Sequence, residues 1–189
     1  MLTTDTIVEP SVIIEPVERY GIIPARAIPE KLIESYWGDL HLTGLLKYRW
    51  CDTDPNCLNL HELRDYSVSN GQTYFVVDTK YKKIIGEFTL TSFTGAAAQV
   101  HVSTHPNNHP NINRKLGKKI TDEVLYTWKR EMSEEPFLDT LYGLTPEPNR
   151  AARIYLLRAG FKNMGTLISG TKYEGIVCDA IMSMKTRNS

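Results

Sequence analysis

Apolar residues recur along this chain at two main spacings, and each predicts a different element. Between Ile112 and Met132 they fall four apart, at Ile112, Leu116, Ile120, Val124, Trp128 and Met132. Steps of four on a 3.6-residue period make one stripe, so this stretch predicts an amphipathic helix with a buried face. Ile33, Trp37, Leu40 and Leu42, then Leu45 and Leu46, approximate such a face between Glu30 and Trp50, with Gly38 and Gly44 as candidate breaks. Leu58 to Tyr66 predicts another short helix after the turn signal Asp54-Pro55-Asn56. Asn149 to Ala159 predicts a last one. Asn149 can cap it by accepting a bond from a free first-turn N–H, and Gly160 can stop it.

Elsewhere β-branched and aromatic residues crowd into short runs. Thr73–Asp78 (TYFVVD), Lys83–Ser92 (KIIGEFTLTS) and Ala96–Ser103 (AAAQVHVS) predict three strands of an antiparallel meander, turned at Thr79–Lys82 and Gly95. Leu138–Thr145, Met164–Ile168 and Gly175–Met184 predict three more, the last two joined by the polar turn SGTKYEG. This mixed order implies an α/β (α+β mixed sheet) fold with helices on both faces. A helix-length connection between the third and fourth strands implies that those two run parallel. Residues 1–29 carry Pro10, Pro16, Pro24 and Pro29 around apolar bursts such as VIIEPV. That spacing forbids a long helix and predicts an extended N-terminal arm with at most one short strand, ahead of a single domain over 30–189. The arm can pack on the domain or on a protein partner.

Composition narrows the function. At 189 residues the chain can bury a sizeable core. Its 22 basic and 22 acidic residues cancel, which argues against a protein that coats nucleic acid. The start MLTTDTIVEPSVIIEP has neither the basic opening nor the apolar core of a secretory signal, and no run is long enough to span a membrane. Cys51, Cys57 and Cys178 form no disulfide pattern. Cys51, Cys57 and His61 match structural zinc spacing poorly. The expectation is a cytoplasmic protein with reduced thiols, no metal and no membrane partner.

Candidate chemistry lies in Asn113-Arg-Lys-Leu-Gly-Lys-Lys119, read as leading from a strand into the long helix. Free N–H groups and the positive end of the helix dipole suit an anion there. Arg114, Lys115, Lys118 and Lys119 add charge, and Gly117 would let backbone approach a ligand.

A strand, R-x-x-G, a long helix, a strand and then an N-x-x-A-x-x-Y helix ending in Gly-Phe resembles the GCN5-related N-acetyltransferase (GNAT) superfamily. Its pyrophosphate motif is commonly written Q/R-x-x-G-x-G/A. Arg114, Lys115, Leu116, Gly117 and Lys118 fit it, and Lys119 stands where a small residue is usual. Asn149, Ala152, Tyr155, Gly160 and Phe161 fit the second motif, and Ile84-Ile85-Gly86 fits the opening of the middle strand. The resemblance covers about residues 70–184. The segment STHPNNHPN before Arg114 is longer than the family's usual connection. The superfamily includes phage-encoded members, and this short, proline-armed chain resembles them in look.

The resemblance implies a GNAT-like acyl-CoA N-acyltransferase fold and acetyl-CoA as co-substrate. Acetyl would pass by direct attack to an amine of a protein or small molecule. It places the cofactor along Val100, His101 and Val102, on Arg114–Lys119, and beside Asn149, Ala152 and Tyr155. Tyr155 would protonate the departing CoA thiolate; alternatively it packs one face of its helix. The attacking amine needs a base. Glu87 and His101 are the candidates and Glu147 a weaker one; read without the resemblance, Glu87 and His101 are ordinary strand residues on a solvent or edge face. His105 and His109 read as a solvated loop beside the phosphate site. A non-catalytic protein of this fold is the alternative function, such as a phage virion or host-interaction component.

Overall fold

A computed structural model describes residues 19–46, 59–69, 72–108, 110–130 and 133–188. The described strands are β1 (Tyr20–Pro24), β2 (Thr73–Asp78), β3 (Lys83–Thr94), β4 (Ala97–Thr104), β5 (Thr140–Pro146), β6 (Lys162–Tyr173) and β7 (Ile176–Thr186). The helices are α1 (Glu30–Leu42), α2 (Leu60–Ser69), α3 (Pro110–Asp122) and α4 (Arg150–Arg158). The strands form one sheet in the order β1-β2-β3-β4-β5-β7-β6. The expected meander is present, and β4 and β5 pair in parallel as the helix-length connection requires. Within the proline-rich arm, Tyr20–Pro24 pairs antiparallel with β2 at the sheet edge, a place where a proline costs no ladder bond.

Helices cover both faces. Leu116, Ile120 and Val124 from α3 and its end, with Leu156 of α4, pack on Phe88, Leu90 and Val100. Ile33, Tyr36, Trp37 and Leu40 of α1, with Leu63 of α2, pack on Phe75, Val77 and Ile84. Helix α1 starts at Pro29 with no side-chain cap. A missing cap costs about 1 kcal/mol. Four large buried side chains at about 2 kcal/mol each outweigh it.

Four expectations about these elements need correction. Leu42 is not on the buried face of α1: it is 83% exposed, and Tyr36 takes its place. Two residues at 100° each carry Leu42 almost to the far side from Leu40. Gly38 does not break α1. Gly44 does follow its end, with φ +67°. Helix α3 does not reach Met132, which lies outside the described residues. It passes into a π turn at Glu123–Thr127, and Trp128 is extended, its ring tilted against Tyr74 with centroids 4.8 Å apart. The segment SGTKYEG is not a turn throughout: β6 runs to Tyr173. A bulge between Leu167 and Thr171 absorbs Ser169, at φ +51°, within this edge strand.

Candidate active site

The parallel ladder between β4 and β5 has three pairs, ending at Gln99 opposite Tyr142. Beyond it the strands part. The β5-facing backbone of Val100–Val102 borders a cavity of about 270 Å3, closed by Gly143–Pro146 and by Asn149, Ala152 and Tyr155 of α4. A second cavity of about 560 Å3 shares Val102, Asn149, Ala152 and Tyr155. It continues past Ser103 and Thr104 to Leu40, Leu45 and Arg150. Together they make one cleft whose common wall is the first turns of α4.

That wall is built as the sequence suggests. The Asn149 side chain accepts a bond from the Ala152 N–H at 3.1 Å and caps α4, and Gly160 at φ +94° follows its end. Tyr155 lies against α3. A Cβ on Gly117 would stand 2.8 Å from the Tyr155 ring and 2.9 Å from its hydroxyl. The hydroxyl is buried and makes no hydrogen bond of standard geometry. Burial pushes the phenol well above its usual range, and the nearby Gly117 backbone offsets only part of this. Tyr155 therefore stays protonated at neutral pH, and the residue borders both cavities.

Side chains alternate along β3 and β4. Glu87, Thr89, His101 and Ser103 face α1, while Phe88, Val100 and Val102 face α3 and α4. Glu87 is 1% exposed and lines neither cavity. Its carboxylate accepts bonds from Thr89 and, at 3.0 Å, from Ser103. His101 does border the smaller cavity, with Nε2 3.0 Å from the Thr91 hydroxyl. Glu147 pairs at 3.5 Å with Arg153 on the surface.

His105 is not part of a solvated loop. It is buried at 7% exposure. Its Nδ1 accepts from the Asn107 N–H at 3.1 Å, which leaves Nε2–H to donate to Asp39 at 2.8 Å. The imidazole pins the β4–α3 connection to α1. His109 lies outside the described residues, as do Cys51 and Cys57. Among the described residues no group of three or more His, Cys, Asp or Glu could hold a metal, and no helix is long and apolar enough to cross a membrane.

The segment Arg114–Lys119 is placed differently from expectation. Helix α3 begins at Pro110, so these residues lie beyond its first turn. Only the first four N–H groups of a helix are free; those of Arg114–Lys119 belong to the helical ladder. Leu116 fills the space over Gly86, where a Cβ would stand 2.6 Å from it. Lys118 pairs with Asp122. Arg114, Lys115 and Lys118 remain exposed. None of the six lines the cleft.

Three further residues at or behind the cleft were not singled out in the sequence: Ser103, Tyr36 and Arg150. Ser103 had one available signal. It stands opposite Glu87 if β3 and β4 are paired around Gly95, so its side chain shares that face.

The fold is that of GNAT acetyltransferases. A GNAT-family acetyltransferase from Bacillus anthracis superposes with a TM-score of 0.70 at 11% identity, over 91% of this chain and 97% of that one. Spermidine N-acetyltransferase from Vibrio cholerae, solved with CoA and spermine, gives 0.66 at 16% identity, over 90% and 96%. The microcin C7 self-immunity acetyltransferase MccE, solved with acetyl-CoA and AMP, gives 0.66 at 12%, over 89% and 93%. No protein-family model and no curated protein matches the sequence.

Proposed function

We propose that this chain is an acetyl-CoA-dependent N-acetyltransferase acting on an amine of a protein or small molecule by direct attack. One observation carries the reading: β4 and β5 part beside Tyr155, whose buried hydroxyl makes no hydrogen bond of standard geometry. A thiolate that departs into the same buried surroundings has its own proton affinity raised along with the phenol's, so it can accept that proton. The backbone of Val100–Val102, freed from the ladder, offers N–H donors for the oxygen of the thioester as charge builds on it. Asn149 and Ala152 would flank the cofactor, and the side chains of Arg114, Lys115, Lys118 and Lys119 would supply charge for its phosphates. Neighbours solved with CoA or acetyl-CoA on the same fold support the choice of co-substrate.

Calorimetric titration with acetyl-CoA and with CoA tests this reading. Saturable, equimolar binding is expected, and no heat at millimolar cofactor would overturn it. The helical placement of Arg114–Lys119 favours one alternative, a GNAT-fold protein without catalysis, such as a virion or host-interaction component whose N-terminal arm meets a partner. That protein would fail the same titration.

A further inference from the structure

Glu87 is a buried carboxylate reached from the cleft through a single hydroxyl. The Ser103 Oγ stands 3.0 Å from Glu87 Oε2 and 2.7 Å from the Tyr36 hydroxyl, and Ser103 lines the larger cavity. Thr89 holds the other carboxylate oxygen, and the Thr73 hydroxyl lies 3.1 Å from that of Thr89. Tyr36 is itself fixed in the core by Trp37 and Phe75, with ring centroids at 5.0 and 5.6 Å. With Ser103 donating to Glu87, Tyr36 donates to Ser103, and one lone pair of Oγ remains on this cleft-lining residue.

We infer that Ser103 is the port through which the acceptor amine loses its proton, with Glu87 as the sink. The inference rests on the acetyltransferase reading. The nitrogen lone pair forms the new C–N bond as the C–S bond breaks. The amine proton passes to Ser103 Oγ while the serine proton passes to Glu87. The thiolate takes its proton from Tyr155. One proton is gained and one lost, and exchange with solvent restores both groups. The arrangement puts base and acid on opposite faces of the sheet, with the β4–β5 opening between them. It makes Glu87 effective without touching substrate.

The test uses the full chain with acetyl-CoA and three amines: spermidine, a peptide with a free N-terminal alanine, and a lysine-containing peptide. Thiol release reports turnover, calorimetry reports acetyl-CoA affinity, and melting reports folding. Ser103→Ala is expected to lower kcat about 10- to 100-fold, with KM and acetyl-CoA Kd unchanged within about twofold. Ser103→Thr, which keeps a hydroxyl, is expected to recover most of the loss. Glu87→Gln should be at least as slow as Ser103→Ala, and the double variant no slower than Glu87→Gln alone, because members of one relay do not add. Turnover in Ser103→Ala like that of the parent, or additive losses, would overturn the relay and leave the acetyltransferase reading standing. Acetyl-CoA binding without transfer to any of the three amines also overturns the relay. Absence of acetyl-CoA binding removes the reading and the relay together.

Discussion

The Tyr155 ring occupies the space that a side chain at Gly117 would fill. The glycine of the first motif thereby seats the tyrosine of the second, and backbone approach to a phosphate need not explain it. Two substitutions separate the tyrosine's roles. Tyr155→Phe removes a buried hydroxyl that makes no hydrogen bond of standard geometry, so thermal stability should hold or rise slightly. Turnover should fall about 10- to 100-fold with acetyl-CoA affinity preserved. A variant that melts earlier yet turns over normally would make the ring a packing residue only. Gly117→Ala forces the ring aside and should cost about 1–3 kcal/mol in urea unfolding, as overpacked sites do. It should also slow turnover, and combining it with Tyr155→Phe should add little further loss, because both act on the same hydroxyl.

At the scale of elements, a buried lysine ties three of them together. Lys185 of β7 donates to the Thr121 hydroxyl at 2.8 Å, to Asp122 at 2.6 Å and to the Ala159 carbonyl at 2.8 Å. The end of α3, the end of α4 and β7 meet there. Lys185→Met fills similar volume but leaves Asp122 with Lys118 alone. Breaking a buried pair costs about 3–5 kcal/mol, and Asp122 is one-third exposed, so about 2–3 kcal/mol of unfolding free energy should be lost. An unchanged urea midpoint would show the knot to be dispensable. Nothing in the run IVCDAIMSMKT marks this lysine as buried, because its partners arrive from two distant helices. What could be read in the sequence was local. The four-residue stripe of α3 runs to Val124, Asn149 caps α4, Gly160 follows its end, and β2–β4 form the meander. What could not be read depended on neighbours. The start of α3 at Pro110 shifts Arg114–Lys119 into the helix, and His105 is buried where Tyr36 and Asp39 of α1 meet it. The polar residues of β6 read as a turn because an edge strand makes few demands on side chains.

At the scale of the molecule, the chain's charges cancel at neutral pH, and repulsion among its basic groups grows only as the carboxylates take up protons in acid. Two carboxyls near opposite edges of the sheet stand out. Burial pushes Asp78 up, but the Arg19 guanidinium and the Tyr81 and Lys80 N–H groups outweigh it and hold the carboxyl below the usual range. Burial also pushes Asp122 up, and hydrogen bonds from Lys118 and Lys185 outweigh it in the same direction. A carboxyl held low takes its proton later in the folded chain than in the unfolded one. The unfolded state then binds more protons between the two values, so stability rises with pH across that interval. The contribution is complete above the ordinary aspartate value of about 3.9 and is lost as pH falls through the folded value. Urea midpoints should therefore be level above about pH 5 and drop steeply below about pH 4. Asp78→Asn tests one of the two groups cleanly. The amide oxygen can still accept the turn N–H groups, and Arg19, 44% exposed, is not left as a buried charge. The variant should be less stable at neutral pH but decline less steeply in acid, by up to about 1.4 kcal/mol per pH unit. Parallel acid limbs for the two proteins would mean that β1 and β2 have already separated in that range, with the Arg19–Asp78 pair lost before the rest of the sheet unfolds.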